Sequence, residues 1–355
     1  MKKIVFICLL PSMLMAQIPA GYYNSAQGLT GDALKIALHN IIDNHTVVSY
    51  NGLWNCYSNT DRKANGKIWD IYSDVPGGTP AYEFTFSSDQ CGSYAVEGDC
   101  YNREHTWPQS WFNSEAGPVS DLFHVYPTDG KVNGERDNFP YGNVGTTIYF
   151  QSTNGGKLGI TTDLGYNTVV FEPIDEYKGD LARNYFYMST RYYSEDFNWT
   201  TSAATNKSVI LPWELNVLLT WHHQDPVSAK ETARNNVIYN SYQHNRNPFI
   251  DHPEWADSIW QQTVNDFVTA DVKEYNELDF ISLFPNPSEG KVYLNLNEVN
   301  DLDIEISDIN GKKLDFEILK TDKIIAINTE NWNKGIYFVT LRTKSNVVIK
   351  NFVKQ

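Results

Sequence analysis

The most concentrated chemistry in the sequence is an acid beside an imidazole, Glu104 and His105. A glutamate supplies a hard oxygen ligand that suits Mg²⁺ or Ca²⁺, and a histidine can act as a general base near neutral pH. Adjacent residues on a regular strand point to opposite faces, so both can serve one site only at an irregular strand end. For so short a motif, a surface histidine beside a helix-capping acid is the commoner arrangement.

A second polar cluster lies between Asp121 and Gly142. The segment 127–129, Pro-Thr-Asp, is typical of a helix start. Asn133 offers an amide oxygen, again a hard ligand, and Arg136 offers a planar cation that can hold phosphate. Taken alone, such a helix is most often a polar surface turn, so its function can be judged only together with the other motifs in the sequence.

Together the two stretches resemble the bacterial endonuclease I family, which comprises secreted and periplasmic nucleases with a ββα-metal site. The similarity begins in "NREHTWPQSWF" (102–112) and "DLFHVYPTDGKVNGERDNFPYG" (121–142). It continues in "FEPIDEYKGDLARNYFYMSTRY" (171–192) and "YQHNRNPFIDHPE" (242–254). Four motifs occur in the expected order, and the resemblance covers roughly residues 18–267.

The resemblance implies a role at each matching position. Glu104 and Asn133 would be metal ligands, and His105 would be the general base. One Mg²⁺ (or Ca²⁺ or Mn²⁺) would be bound by two side chains, with waters and the scissile phosphate completing its shell. The implied activity is hydrolysis of DNA and RNA, without preference for the sugar, to products with 5′-phosphates.

The sequence departs from the family at one functional position. Some members carry a phosphate-contacting arginine in an insertion after the Glu-His pair, but residues 113–120 here read "NSEAGPVS". Another arginine must therefore contact the phosphate, or the chain lacks this contact. Arg136 and Arg183 are candidates for a catalytic role, and Arg103 and Arg246 for substrate binding. The alternative for each is a structural one, in an ion pair or in holding a loop.

The remaining histidines offer fewer clear roles. His124 lies where the family has a histidine beside the site. It could orient a ligand or a metal-bound water, or it could be a buried histidine with a structural role. His222, His223 and His244 do not follow the spacing of a zinc site, so we expect them in the core or on the surface.

Residues 1–16 have the pattern of a secretory signal peptide, with two lysines, an apolar stretch and a small residue before the cleavage point. We see no other apolar run of membrane length, so no stable membrane insertion is expected. Export to an oxidising compartment permits a disulfide, and Cys91 and Cys100 are the favoured pair because they lie close together in a glycine-containing loop. Cys56 would then be a buried thiol, although the sequence alone leaves the connectivity open.

The residues around these motifs predict an α+β fold, in which residues 17–272 form a catalytic domain of helices, short strands and a ββα-metal core. Apolar periodicity indicates helices at 31–44, 178–193, 212–222 and 228–245. Alternation indicates strands at 67–74 and 81–86.

A polar linker at 273–282 leads into residues 283–355, where short alternating segments and the hairpin signal Asn310-Gly311 predict a small all-β sandwich. The segments "LFPNPSEGKVYLNLN" and "KGIYFVTLRTKSNVVIKNFVKQ" resemble the type IX secretion sorting domain. That resemblance implies the type IX secretion machinery as a partner, and release or anchoring at the cell surface. A generic adhesion or binding module is the alternative.

The formal net charge of −15 resides in the catalytic segment, where residues 17–272 hold 15 Lys/Arg and 30 Asp/Glu. This balance argues against broad attraction to nucleic acid, so a nuclease would need a bound cation and a local basic strip, which we expect around Arg103, Arg136 and Arg183. Abundant Tyr and Trp leave a non-catalytic or carbohydrate-binding secreted module as an alternative. A phosphodiesterase with another substrate is a third hypothesis. We expect a monomer.

Overall fold

The structure is a computed structural model that describes residues 18–271, 278, 281–295, 302–320, 324–343 and 347–355. The predicted signal peptide at 1–16 and most of the predicted linker at 273–282 lie outside the described residues. The chain divides into two compact units, an N-terminal unit that ends at Thr269 and a C-terminal unit that begins at Ala270.

The N-terminal unit is built mainly from helices. They are α1 Gly31–Ile42, α2 Leu53–Thr60, α3 Gly130–Arg136, α4 Lys178–Arg191, α5 Pro212–Gln224, α6 Ala229–Ser241, α7 Pro248–Asp251 and α8 Glu254–Asp271. The four helices predicted from periodicity are confirmed as α1, α4, α5 and α6, with ends that shift by a few residues.

Helix α4 is the centre of this unit, because every one of its residues is buried. It packs against α1, α5 and α7. Its apolar residues join one large core, and its charged residues form ion pairs inside the protein. Pro212 at the first turn of α5 and a Ser228–Glu231 capping box on α6 fix where the neighbouring helices begin.

Short strands complete the N-terminal unit. They are β1 Tyr101–His105, β2 Val125–Asp129, β3 Val144–Gln151, β4 Lys157–Thr161, β5 Val169–Glu172, β6 Thr205–Asn206 and β7 Val209–Ile210. The strands pair as β1-β2, β3-β4-β5 and β6-β7.

The strands predicted at 67–74 and 81–86 are wrong, because both segments are irregular. Asp70 explains the first of these, since its carboxylate accepts hydrogen bonds from Tyr72 N at 2.8 Å and Ser73 Oγ at 2.6 Å. A side chain that bonds to its own following backbone forms a turn and competes with strand pairing.

Beyond the last residues of α8, the described elements of the C-terminal unit are strands. They are β8 Ser282–Phe284, β9 Lys291–Asn295, β10 Asp303–Asp308, β11 Ile318–Lys320, β12 Ile324–Asn328, β13 Gly335–Arg342 and β14 Val347–Lys354. One sheet has the order β11-β12-β9-β8 and the other β10-β13-β14. Alternate residues of both sheets, such as Leu294 and Val339, share a separate buried core.

The turn after β10 contains the predicted Asn310-Gly311 pair. Gly311 has a φ of +78°, which favours glycine, and its N–H donates to Asp308 O at 3.0 Å. In the part of the chain that the structure describes, no helix is both long and apolar enough to cross a membrane. The molecule is therefore an α+β unit followed by an all-β unit, as the sequence predicts.

Candidate active site

The predicted site residues are carried by two antiparallel strands and the helix that follows them, β1, β2 and α3. In the strand register Glu104 lies opposite Tyr126 and His105 lies opposite Val125. Asp129 ends β2 and caps α3, because its Oδ1 accepts from Val132 N at 2.9 Å. The chain thus turns from strand to helix within one residue, at the segment 127–129 that the sequence indicated as a helix start, and α3 packs against both strands.

Glu104 is buried at the end of β1, with 2% of its surface exposed. Its Oε1 accepts hydrogen bonds from Tyr72 Oη at 2.7 Å and from Arg136 Nη1 at 3.0 Å. Burial raises the pKa of this carboxyl group, while the adjacent Arg136 guanidinium favours the ionised form. With two donors already at Oε1, the carboxylate is held in one orientation.

Arg136 supports the carboxylate of Glu104 from the protein interior. Its side chain is 1% exposed, and it also donates to the main-chain oxygens of His105 at 2.9 Å and Thr106 at 2.6 Å. The guanidinium lies over the ring of Tyr141, 4.6 Å from the centroid. Arg136 therefore contacts and orients the metal-ligand candidate Glu104, and its side chain is enclosed by protein.

His105 is held in a single tautomer. Its Nε2 lies 3.0 Å from the carbonyl oxygen of Val119, and because a carbonyl can only accept, Nε2 carries the hydrogen. Nδ1 then keeps its lone pair. Burial, reinforced by His124, lowers the pKa of His105 to about 3. The imidazole is thus neutral at physiological pH and able to accept a proton.

His124 lies behind His105, with 5.6 Å between the ring centroids. It is fully buried, and its Nε2 donates to Pro118 O at 2.6 Å. Consecutive carbonyls at 118 and 119 thus orient the two imidazoles. The segment that lacks the family's arginine instead fixes the ring of the candidate base.

Asn133 lies on α3, facing β1. Its Nδ2 donates to Asn102 Oδ1 at 2.7 Å, so Oδ1 is the candidate ligand atom of this amide. Asn102 and Glu104 are two residues apart on β1 and therefore share one face of the strand. The structure thus brings Asn133 to the side of β1 that carries Glu104.

The other three predicted arginines have different surroundings. Arg103 is half-buried, stacks on Tyr50 at 3.4 Å from the ring centroid, and donates to Tyr50 O at 2.7 Å. The ring of Tyr50 also lies 5.9 Å from that of His105. Arg103 is therefore adjacent to the site.

Arg183 and Arg246 are enclosed elsewhere in the unit. Arg183 is 0% exposed and pairs with Glu231 through Nε at 2.5 Å and Nη2 at 2.9 Å. Arg246 is 1% exposed and pairs with Asp251. The predicted basic strip around Arg103, Arg136 and Arg183 is therefore wrong, because two of its three members are buried in ion pairs.

The predicted Cys91–Cys100 disulfide is not formed. Cys56, Cys91 and Cys100 are all free thiols, and Cys100 Sγ donates to Ser93 O at 3.4 Å. The disulfide prediction relied on the short distance between Cys91 and Cys100 along the sequence. Burial raises the pKa of the Cys91 thiol to about 12.

No group of three or more His, Cys, Asp or Glu side chains that could hold a metal occurs among the described residues.

Sequence reasoning missed several partners in the site. Asn102 could have been found from strand alternation, since it shares a face with Glu104. Tyr72 and the carbonyl of Val119 have no local sequence signal, because one comes from a distant irregular segment and the other is main chain.

Two family models and several curated relatives match this chain. The family model for endonuclease I matches residues 30–254, and the model for the secretion system C-terminal sorting domain matches residues 282–355. An extracellular ribonuclease of Bacillus amyloliquefaciens is 42% identical over 249 residues, 67% of this chain and 78% of the relative. One from Bacillus subtilis (strain 168) is 40% identical over 250 residues, with the same shares.

A more distant relative has a different printed name. An extracellular deoxyribonuclease of Aeromonas hydrophila is 26% identical over 237 residues, 62% of this chain and 86% of the relative. The sorting domain and the extracellular relatives together show a secreted or cell-surface protein. The chain belongs to the endonuclease I family, and it is a nuclease that ends in a secretion sorting domain.

Proposed function

We propose that the protein is a metal-dependent endonuclease that hydrolyses both DNA and RNA and leaves 5′-phosphates. The observation that carries this proposal is the fixed tautomer of His105, whose Nε2–H is held by Val119 O while Nδ1 is left to accept a proton. That base lies next in sequence to Glu104, a buried and oriented carboxylate.

The side chains suit a small, hard cation. Glu104 offers a carboxylate oxygen, with donors from Tyr72 and Arg136 fixing the group at Oε1, and Asn133 offers an amide oxygen. Two protein ligands suit Mg²⁺, which usually keeps several waters, and Ca²⁺ and Mn²⁺ take the same oxygen donors. When bound, such an ion stabilises the negative charge that develops on the phosphate and the leaving oxygen.

His105 would take the proton of the attacking water at Nδ1. Its low pKa keeps the ring neutral, and the Val119 carbonyl stabilises the proton on Nε2 while the ring is charged. Nothing in this step uses a ribose 2′-hydroxyl, so both DNA and RNA can be substrates. The printed names of the relatives, ribonuclease for two and deoxyribonuclease for another, support this breadth.

The arginines divide into two kinds. Arg136 acts through Glu104, as a positioning residue, and Arg103 is the candidate for contact with a substrate phosphate because its half-buried guanidinium lies beside the His105 face. Arg183 and Arg246 pair with internal acids and stabilise the fold.

The C-terminal unit would direct export through the type IX secretion machinery, with the nuclease then released or anchored at the cell surface. Its match to a sorting-domain model supports this role.

Many of the large aromatic residues that suggested the carbohydrate-binding alternative, such as Trp107, Trp221 and Tyr185, are fully buried and cannot stack on a sugar.

Three single variants test the assigned roles. His105→Ala should lower the rate of DNA and RNA cleavage by about 10²- to 10⁴-fold while leaving Mg²⁺ affinity intact. Glu104→Gln and Asn133→Ala should weaken Mg²⁺ binding by more than about tenfold, measured by isothermal titration calorimetry. His244→Ala, at an exposed histidine after α6, is the matched control. Full activity of His105→Ala on both substrates would refute the mechanism.

A further inference from the structure

Tyr94 is an exposed aromatic residue beside the helix that carries Asn133. It is 40% exposed, whereas the neighbouring aromatic residues Tyr72, Trp107 and Tyr141 are each at most 1% exposed. Tyr94 belongs to the loop of residues 92–99 that leads into β1. The established fold does not require this ring to face solvent.

The ring lies along the surface of α3. A side-chain carbon added at Gly130 would be 2.7 Å from Tyr94 Cδ1, and one added at Gly134 would be 3.0 Å from Tyr94 Cζ. Both glycines are one turn apart on the same face of α3, so the ring spans that turn alongside Asn133. Helix α3 therefore has no side chain at the two positions that this ring covers.

The loop holds the ring in place before any substrate arrives. Asp99 Oδ2 accepts from Ala95 N at 2.8 Å and Val96 N at 3.0 Å, which closes the turn after Tyr94. Gly98 N donates to Asp129 Oδ2 at 2.7 Å and thereby ties the loop to the residue that caps α3. A pre-positioned ring costs little conformational entropy on binding.

Glu97 and Lys131, two charged residues around the ring, already have partners within the protein. Glu97, the loop's other acid, accepts from Thr153 N at 2.9 Å and Thr153 Oγ1 at 2.8 Å. The ammonium of Lys131, in the first turn of α3, pairs with Glu135 at 2.5 Å. The flat ring, rather than a free charge, is therefore the feature beside α3 that suits contact with a nucleotide.

We propose that the exposed face of Tyr94 stacks on an unpaired nucleobase adjacent to the scissile bond, which makes Tyr94 a substrate-binding residue. This inference rests on the proposed nuclease site at Glu104, His105 and Asn133. Stacking tolerates any base, since every base has an aromatic face. The site would thus bind the strand without reading its sequence.

The test uses the full-length protein and single-stranded oligodeoxynucleotides in which every internucleotide bond but one is a methylphosphonate. Removing the base on one side of the cleavable bond should raise the wild-type KM by about 5- to 150-fold, the range for loss of one stacked base. Tyr94→Ala should raise the KM for the intact strand by a similar factor and show no further rise with the abasic strand. The value of kcat should stay within the same order of magnitude.

Two variants separate stacking from packing. Tyr94→Phe keeps the ring and should restore both the wild-type KM and the sensitivity to the missing base, whereas Tyr94→Leu keeps the bulk and should behave like Tyr94→Ala. Tyr149→Ala, at another exposed tyrosine (60% exposed, on β3), is the matched control and should keep the wild-type KM.

The proposal is overturned if wild type and Tyr94→Ala respond equally to the abasic strand, or if Tyr94→Ala lowers kcat and thermal stability at unchanged KM. Absence of cleavage at any metal concentration would instead refute the nuclease proposal. In that case fluorescence anisotropy of the same strands, bound to His105→Ala and to His105→Ala with Tyr94→Ala, still decides the role of Tyr94.

Discussion

Arg136 holds the candidate metal ligand Glu104 from inside the protein. Removing one partner of a buried pair leaves an uncompensated charge, which typically destabilises a protein by about 3–5 kcal/mol. Arg183 makes an equally buried pair with Glu231, but that pair joins α4 to α6. The two arginines therefore have similar energetic roles, and only Arg136 touches a residue of the site.

Substitution of these two arginines should separate stability from function. Arg136→Met and Arg183→Met are each expected to lower the free energy of unfolding by about 3–5 kcal/mol, measured by urea denaturation. Only Arg136→Met should also weaken Mg²⁺ binding per folded molecule, because only it frees Glu104. Equal Mg²⁺ affinity in the two variants would contradict the positioning role of Arg136.

At this scale the sequence indicated which residues matter but not what each one contacts. The Glu104-His105 pair and Asn133 could be named because they lie in short motifs. The partners of Arg136, Arg183 and Arg246 could not, since an arginine in a polar sequence looks the same whether it is bound to a buried acid or free for phosphate.

At the scale of the elements, the contact between α4, α5 and the segment before α8 depends on a neutral histidine, His222. His222 Nδ1 accepts from Arg183 Nη1 at 3.2 Å, and its Nε2 donates to Pro253 O at 3.0 Å. Burial, and then the Arg183 charge, lower the pKa of His222 to about 4. An unfolded histidine has a pKa near 6.5 and so binds a proton first as the pH falls.

The stability that His222 contributes should therefore be complete above pH 6.5 and decline as the pH falls towards 4. Between pH 7 and pH 5 the expected loss is about 2 kcal/mol, from 1.36 kcal/mol per pKa unit. His222→Gln keeps a donor and an acceptor but does not titrate. Between pH 7 and pH 5 this variant should therefore lose about 2 kcal/mol less free energy of unfolding than the wild type. Urea denaturation at both pH values measures the difference, and equal losses would refute it.

Helices were easier to predict than strands in this chain. The periodic segments that became α1, α4, α5 and α6 had enough length to show their spacing, whereas 67–74 alternates like a strand yet is turned by Asp70. Helix α3 has only seven residues, and its start at Gly130, capped by Asp129, directly follows the Pro-Thr-Asp signal at 127–129.

At the scale of the whole molecule, two separately cored units share a chain with a net charge of −15. A surface so acidic repels a polyanion at long range, and the described arginines form no basic strip to offset it. Under the proposed mechanism, substrate binding depends on short-range contacts at the site: a cation at Glu104 and Asn133, Arg103 and the ring of Tyr94. A bound metal is therefore central to the proposed activity.

The most direct test of that claim is analysis of product ends after digestion of an all-deoxy and an all-ribo strand by the purified protein, with Mg²⁺ and with EDTA. The proposed mechanism predicts that both strands are cut with Mg²⁺ and that EDTA abolishes cleavage. Each cut should leave a 5′-phosphate on one product and a 3′-hydroxyl on the other. Cleavage of RNA alone through 2′,3′-cyclic phosphates, or cleavage that persists in EDTA, would contradict it.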